Sequence, residues 1–180
     1  LLIFGGSQGA RLFNNALPAI ASALLDAVPG LTLLHQAGMR HQEATEEAYR
    51  ASGADPARWQ VSGFLDDMPA RFAAANLVMS RSGASTVDEL AAAGKPALLV
   101  PFAAAADDHQ TRNAEEMVKA GAAVMMKEPE LADHEKLRAT LVELLTSKER
   151  LGAMSATALS QAHPQAAEDI AKRLVSLAGA

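Results

Sequence analysis

Six short apolar runs, LLIF (1–4), LTLLH (31–35), WQV (59–61), NLVMS (76–80), PALLV (96–100) and AAVMM (122–126), punctuate the chain, separated by longer stretches rich in Ala, Leu, Glu and Arg. The runs have the length of buried strands, and the residues between them are good helix formers. Strand and helix in strict alternation allow few architectures. Parallel neighbours need crossover connections, which helices supply, so the pattern predicts an α/β fold: a doubly wound, mostly parallel sheet of about six strands with helices on both faces. After Met126 the strand pattern stops. Three C-terminal helices are expected there, at roughly Asp133 to Thr146, Ser147 to Gln161 and Pro164 to Ala178, with Pro164 in a first helical turn.

Composition narrows the function. With 180 residues, 49% of them hydrophobic and 21% charged, the chain can bury a core and carries no signature of disorder. Sixteen basic residues against 21 acidic ones give a net charge of -5 without a basic cluster, which argues against nucleic acid as a partner, since phosphate backbones are held mainly by cations. No cysteine is present, so disulfides, thiolate catalysis and Cys-ligated zinc are excluded, and the absence is compatible with a reducing cytoplasm. The five histidines are scattered and HExxH is missing, so no metal site is expected. The longest apolar run, Pro96 to Ala106, is interrupted by Pro101 and falls short of the ~20 residues of a membrane span. The chain opens at Leu1 directly on a strand-like run, without Met or a targeting pattern, and reads as a piece of something longer.

Doubly wound sheets bind ligands beyond the carboxyl ends of their strands, so the informative residues follow each run. The first such loop is Gly5-Gly6-Ser7-Gln8-Gly9-Ala10. Small residues let backbone amides approach a ligand, and the helix behind them offers a positive dipole end to a phosphate. A tight turn with Ser7 as a cap is the ordinary alternative. From Gly5 to Leu25 there is no carboxylate, and Arg11 stands at the helix start, which favours the anion reading. The GxGxxG spacing, the acidic residue that should end a second strand, and the Walker sequence are all absent, so neither a dinucleotide nor a P-loop nucleotide is the expected ligand.

Three later loops follow the same logic. In Gly63-Phe64-Leu65-Asp66-Asp67-Met68-Pro69 an exposed Phe-Leu pair would sandwich a planar base, whereas the pattern alone favours two core anchors with an Asp cap. In Arg81-Ser82-Gly83-Ala84-Ser85-Thr86-Val87-Asp88-Glu89 the pattern favours a capping box between Thr86 and Glu89, and the functional alternative is a carboxylate that accepts two hydrogen bonds from a ribose diol. The loop Asp107-Asp108-His109-Gln110-Thr111-Arg112-Asn113 groups amides and an imidazole that match sugar hydroxyls, or simply starts a helix with an Asp cap.

Taken in order, GGSQGA, HQAG, GFLDDM, RSGASTVDELAAAGKPALLVPF and DDHQTRNA resemble the donor-binding half of the MurG-type N-acetylglucosaminyltransferases of peptidoglycan synthesis, which are two-domain GT-B glycosyltransferases. The resemblance runs from Leu1 to the terminal helices. It implies an inverting transfer of N-acetylglucosamine from its uridine diphosphate ester to a lipid-linked muramoyl-pentapeptide, by a cytoplasmic enzyme peripheral to the inner membrane. By position it implies that Gly6, Ser7 and Gln8 face the diphosphate and that Phe64, Leu65 and Met68 form the uracil site. Ala84, Ser85 and Thr86 would approach phosphates and ribose, Glu89 would hold the ribose hydroxyls, and His109, Gln110 and Asn113 would line the sugar. Members often carry Gln where this chain has His109. The resemblance calls for no protein-bound metal or cofactor, while a loosely held divalent ion on the diphosphate stays compatible with it. It implies a donor domain over residues 1–163 and a terminal helix, 164–180, packing on an N-terminal acceptor domain that carries the catalytic base and meets the lipid acceptor. Another GT-B transferase, a UDP-sugar epimerase and a non-catalytic nucleotide-sugar module share these loops and stay open as alternatives.

Overall fold

In the computed structural model, which describes residues 1–179, the six runs become strands β1 (Leu2–Phe4), β2 (Leu33–Gln36), β3 (Trp59–Ser62), β4 (Val78–Ser80), β5 (Ala97–Leu99) and β6 (Ala123–Met125). All pair in parallel in one sheet of order β3-β2-β1-β4-β5-β6. Every residue of β1, β4 and β5 is buried, as strands covered on both faces require, while the edge strands β3 and β6 keep partly exposed positions.

The helices are α1 (Arg11–Ala27), α2 (Gln42–Ala51), α3 (Met68–Ala74), α4 (Ala84–Ala92), α5 (His109–Ala120), α6 (His134–Thr146), α7 (Lys148–Ser160) and α8 (Ala166–Ala178). Side chains alternate across the sheet and so build two cores. Ile3, Met79 and Leu98 pack with Phe13 and Leu17 of α1 and Leu141 of α6. Leu2, Phe4, Val78 and Leu99 pack on the other face with Phe72 of α3, Leu90 of α4, Met117 of α5 and Ala158 of α7. Each large side chain buried in this way contributes roughly 1.5–3 kcal/mol, more than a surface ion pair supplies, so the layers hold the loops in place.

Helix beginnings differ in a way that matters for function. Asp67 Oδ1 accepts from Ala70 N (3.2 Å), Asp133 Oδ1 from Lys136 N (3.0 Å) and Ser147 Oγ from Arg150 N (3.3 Å), which caps α3, α6 and α7. Helices α1 and α4 follow Ala10 and Gly83, and no side chain caps either. The expected box between Thr86 and Glu89 is therefore not formed. The chain turns helical right after the extended Gly83, three residues earlier than the box requires, so Thr86 and Glu89 both lie inside α4. Ser7 does not cap α1 either, because Ala10 holds the cap position. The Asp cap that was the ordinary alternative for the start of α5 does not form: Asp108 has left-handed backbone, and its Oδ1 accepts instead from Thr111 Oγ1 at 2.6 Å. Pro164 precedes α8, in a turn closed by Ala166 N donating to His163 O (3.1 Å), with Pro164 at the second turn position that its fixed φ suits.

Two glycines explain one of the quoted motifs. Gly9 (φ 71°) and Gly38 (φ 87°) press the first two loops together, and a Cβ on either would lie 2.0–2.1 Å from a carbonyl oxygen of the other loop. Asn14 Nδ2 donates to Ala37 O at 2.9 Å from the same contact. The HQAG sequence thus shapes the floor of the first loop. Its His35 is fully buried, with Nδ1 3.0 Å from the Tyr49 hydroxyl, and Tyr49 stacks on Trp59.

Helix α8 stands apart. None of its residues is buried, and Ile170, Leu174, Val175 and Leu177 are 60–73% exposed.

Candidate functional site

The chain winds outward from β1 to β2 and β3, returns to β4 beside β1, and winds outward again to β5 and β6. The crevice of such a sheet opens where the winding reverses, between the carboxyl ends of β1 and β4. Two adjoining cavities lie there. The larger, about 600 Å³, is walled by Gly5, Gly6, Gly9, Ala10 and Arg11 on one side and by Arg81, Gly83, Thr86, Phe102, Gln110 and Glu128 on the other. The smaller, about 210 Å³, lies among Phe4, Ser7, Gln36, Phe64, Leu65, Met68, Ser85 and Glu89. Gly6 and Thr86 border both, so the two form one cleft. Another cavity, of about 410 Å³ near Leu1, Arg58 and Gln60, sits at the strands' amino ends, the wrong end of the sheet for a ligand of this fold.

The electrostatics of the cleft follow from its helix starts. Both α1 and α4 begin at its wall, neither has a side-chain cap, and neither carries an acid in its first turn. Their first-turn amides and positive dipole ends therefore converge on the cavity. Two such ends at one crevice make a site for an anion with more than one charged group. Among the described residues no three His, Asp or Glu side chains stand together as a metal site.

The cleft collects most of the residues expected from sequence. Gly6 and Thr86 lie at its centre, Ser7, Phe64, Leu65, Met68, Ser85 and Glu89 line the smaller chamber, and Gln110 lines the larger. The Phe-Leu pair divides its roles: Leu65 is a core anchor, whereas Phe64 is 49% exposed and presents an apolar face to the small chamber. Glu89, freed from capping, faces the same chamber. Four expected residues do not line the cleft. Gln8 and Ala84 are exposed outside it, His109 Nδ1 is paired with Ala106 O at 2.8 Å, and Asn113 Nδ2 donates to Ser82 O at 3.0 Å. Gln110 is also partly committed, since its Oε1 accepts from Phe102 N at 3.0 Å.

Other residues of the cleft had no assigned role in the sequence. Gln36, at the end of β2, donates through Nε2 to Ser7 O (3.3 Å) and Gly63 O (3.2 Å), tying three loops together beneath the small chamber. Arg81 donates through Nη1 to Val100 O (3.1 Å) and Pro101 O (3.2 Å), and its guanidinium lies 5.0 Å from the Phe13 ring centre and 5.3 Å from that of Phe102. Its Nη2 is 2.5 Å from Glu128 Oε1. Only pairing across 47 residues would have exposed that ion pair, and no local motif does so.

Comparison with known proteins agrees with this geometry. The family profile of the glycosyltransferase family 28 C-terminal domain matches residues 1–174. A protein of Anaeromyxobacter sp. (strain Fw109-5) is 45% identical over 171 residues, covering 95% of this chain and 44% of the relative. One from Xylella fastidiosa (strain Temecula1 / ATCC 700964) is 44% identical over 172 residues, covering 96% and 46%. Both are named UDP-N-acetylglucosamine--N-acetylmuramyl-(pentapeptide) pyrophosphoryl-undecaprenol N-acetylglucosamine transferase. The crystal structure of Acinetobacter baumannii MurG superposes with a TM-score of 0.82 at 33% identity, over 97% of this chain and 49% of that one. A putative UDP-N-acetylglucosamine 2-epimerase from Listeria monocytogenes shares the fold, with a TM-score of 0.70 at 17% identity. This chain spans about half the length of the relatives it matches. It belongs to the glycosyltransferase family 28 C-terminal domain family.

Proposed function

We propose that this domain holds UDP-N-acetylglucosamine as the donor for an inverting transfer to the lipid-linked muramoyl-pentapeptide of peptidoglycan synthesis. The observation that carries the reading is the convergence of two uncapped, acid-free helix starts on one crevice, with an apolar slot at one end of it. Uracil enters the small chamber against Phe64, Leu65 and Met68, Glu89 accepts hydrogen bonds from the ribose hydroxyls, and the diphosphate lies over Gly6 and Thr86. The sugar extends into the larger chamber toward Gln110. His109 and Asn113, bonded to backbone as they are, shape the β5–α5 connection beside it.

Chemistry divides accordingly. As the bond between the anomeric carbon and the diphosphate breaks, negative charge grows on the departing phosphate. Amides fixed at the starts of α1 and α4 meet that charge without reorganising. Deprotonation of the acceptor hydroxyl and placement of the lipid-linked acceptor require groups outside this cleft, and we assign them to an acceptor domain like that of the longer relatives. The exposed apolar side of α8 fits packing on such a domain, which makes residues 164–180 a bridge and residues 1–163 the donor-holding body. Among the described residues no helix is long and apolar enough to cross a membrane. We take the whole enzyme, working on a lipid-linked acceptor, to be a peripheral protein at the cytoplasmic face. The acidic balance and the lack of a basic cluster speak against nucleic acid as a partner.

Calorimetric titration tests this reading. UDP and UDP-N-acetylglucosamine should bind the isolated domain and NAD should not; comparable affinity for NAD would overturn it. The epimerase alternative shares the fold alone, and nothing in this cleft favours it.

A further inference from the structure

A cavity that receives a diphosphate should exclude carboxylates, yet Glu128 borders the larger chamber opposite the glycine loop. Its position is fixed. Oε2 accepts from Ala103 N at 3.2 Å, and Oε1 lies 2.5 Å from Arg81 Nη2, with both side chains largely buried. The Oε1 contact is one of charge, for that oxygen receives no aligned hydrogen bond.

Arg81 does not need Glu128 to stay in place. Its Nη1 donates to two carbonyl oxygens at the end of β5, and its guanidinium packs against the rings of Phe13 and Phe102. Those anchors persist when the carboxylate is removed. The Phe102 amide has its own partner in Gln110. What Glu128 supplies to the chamber is therefore charge more than position: it neutralises one of the two cations, Arg81 and Arg11, that border the space.

We propose that Glu128 is an affinity-tempering residue of the donor site, a fixed negative charge that offsets Arg81 and weakens the hold on the diphosphate, so that the nucleotide left after transfer is released. This rests on the reading of the larger chamber as the diphosphate site. The effect acts on phosphates and not on the base, it is electrostatic, and it weakens with salt because the chamber is open to solvent.

The test is titration of UDP and of uridine into the full chain and its Glu128→Gln, Glu128→Ala and Glu128→Asp variants, at low and at physiological salt. Glu128→Gln keeps an acceptor for Ala103 N and loses the charge. It should bind UDP about three- to tenfold more tightly at low salt, the scale of one partly screened unit charge nearby, and uridine within about twofold of the parent. Glu128→Ala should tighten UDP in the same direction, so the result does not depend on one variant folding. Glu128→Asp keeps the charge and should stay near the parent. Unchanged or weaker UDP binding in the Gln and Ala variants, or tightening in the Asp variant, overturns the proposal. If the parent chain binds uridine but gains nothing from the diphosphate, the site reading itself falls, and the role of Glu128 falls with it.

Discussion

Replacing Glu89 by Ala separates the two roles its sequence allowed. Glu89 is the sixth residue of α4 and faces the small chamber, and among the described residues its carboxylate makes no hydrogen bond or ion pair. Nothing in the folded domain depends on its carboxylate, and Ala is the better helix former by a few tenths of a kcal/mol, so the unliganded melting temperature should hold or rise slightly. Bound to a ribose, the same carboxylate would accept charge-assisted hydrogen bonds with a net worth of about 1.5–3 kcal/mol, which is roughly a ten- to hundredfold loss of UDP affinity when they are removed. Calorimetry with UDP and its 2′,3′-dideoxy analogue forms a cycle. The parent should lose a similar factor when the hydroxyls are removed, and Glu89→Ala should scarcely distinguish the two ligands, because the two deletions remove one interaction. A variant that discriminates between them as strongly as the parent refutes the assignment. A drop in melting temperature of several degrees with unchanged UDP binding would restore the capping role that the position of α4 denies.

Three further outcomes follow from particular residues. Ser7→Asp places a carboxylate where α1 and α4 point their amides, so UDP should weaken at least tenfold while uridine stays within about twofold, and equal losses in the two titrations would remove the loop from the phosphate site. His35 is buried beside Tyr49, and burial lowers its pKa to about 3, so it stays neutral in the fold while the unfolded chain takes up its proton below about pH 6.5. The stability this contributes is complete above the unfolded value and is lost as pH falls toward 3, which predicts about 2 kcal/mol lost between pH 7 and 5 in urea unfolding, and His35→Leu should flatten that slope; a slope that persists would place the titrating group elsewhere. The domain by itself should bind donor and give no transfer to the lipid acceptor, and measurable turnover would put a catalytic base within residues 1–180.

The fold was legible because its rule is repeated six times. Each apolar run reports a strand buried on both faces, and each Ala- and Leu-rich interval reports a crossover, so the order of elements follows without knowing any contact. Local end signals were read less well, for a physical reason. Thr86 and Glu89 have the spacing of a capping box, but Gly83 and Ala84 let the helix begin a turn earlier, and a pattern of residue types does not encode which of two adequate starts the folded chain takes. Pro164 suits a first helical turn by type, yet α8 starts two residues later, because Pro is equally at home in the turn that His163 and Ala166 close. In the Phe-Leu pair the neighbours are of one chemical type, so only the folded chain separates the buried anchor Leu65 from the exposed ring of Phe64.

The cleft shows a deeper asymmetry between what sequence reveals and what it hides. The parts proposed to hold an anion are backbone amides, and these leave their trace as an absence: no capping side chain at Ala10 or Gly83 and no acid in either first turn. An absence over a known stretch can be read along the chain, and the carboxylate-free run from Gly5 to Leu25 is such a case. Arg81 and Glu128 leave no such trace. Each is one charged residue among many, and they acquire meaning only where β4 and β6 bring their trailing loops to the same wall, with Phe13 and Phe102 enclosing the guanidinium. Of the groups that bind through the main chain, the first loop is thus announced by local sequence, while the start of α4 is hidden behind a capping-box pattern it does not use. The Arg81–Glu128 pair is specified by the order of strands in the sheet, and replacing Glu128, whose partner keeps its own anchors, should change how tightly the chamber holds a diphosphate.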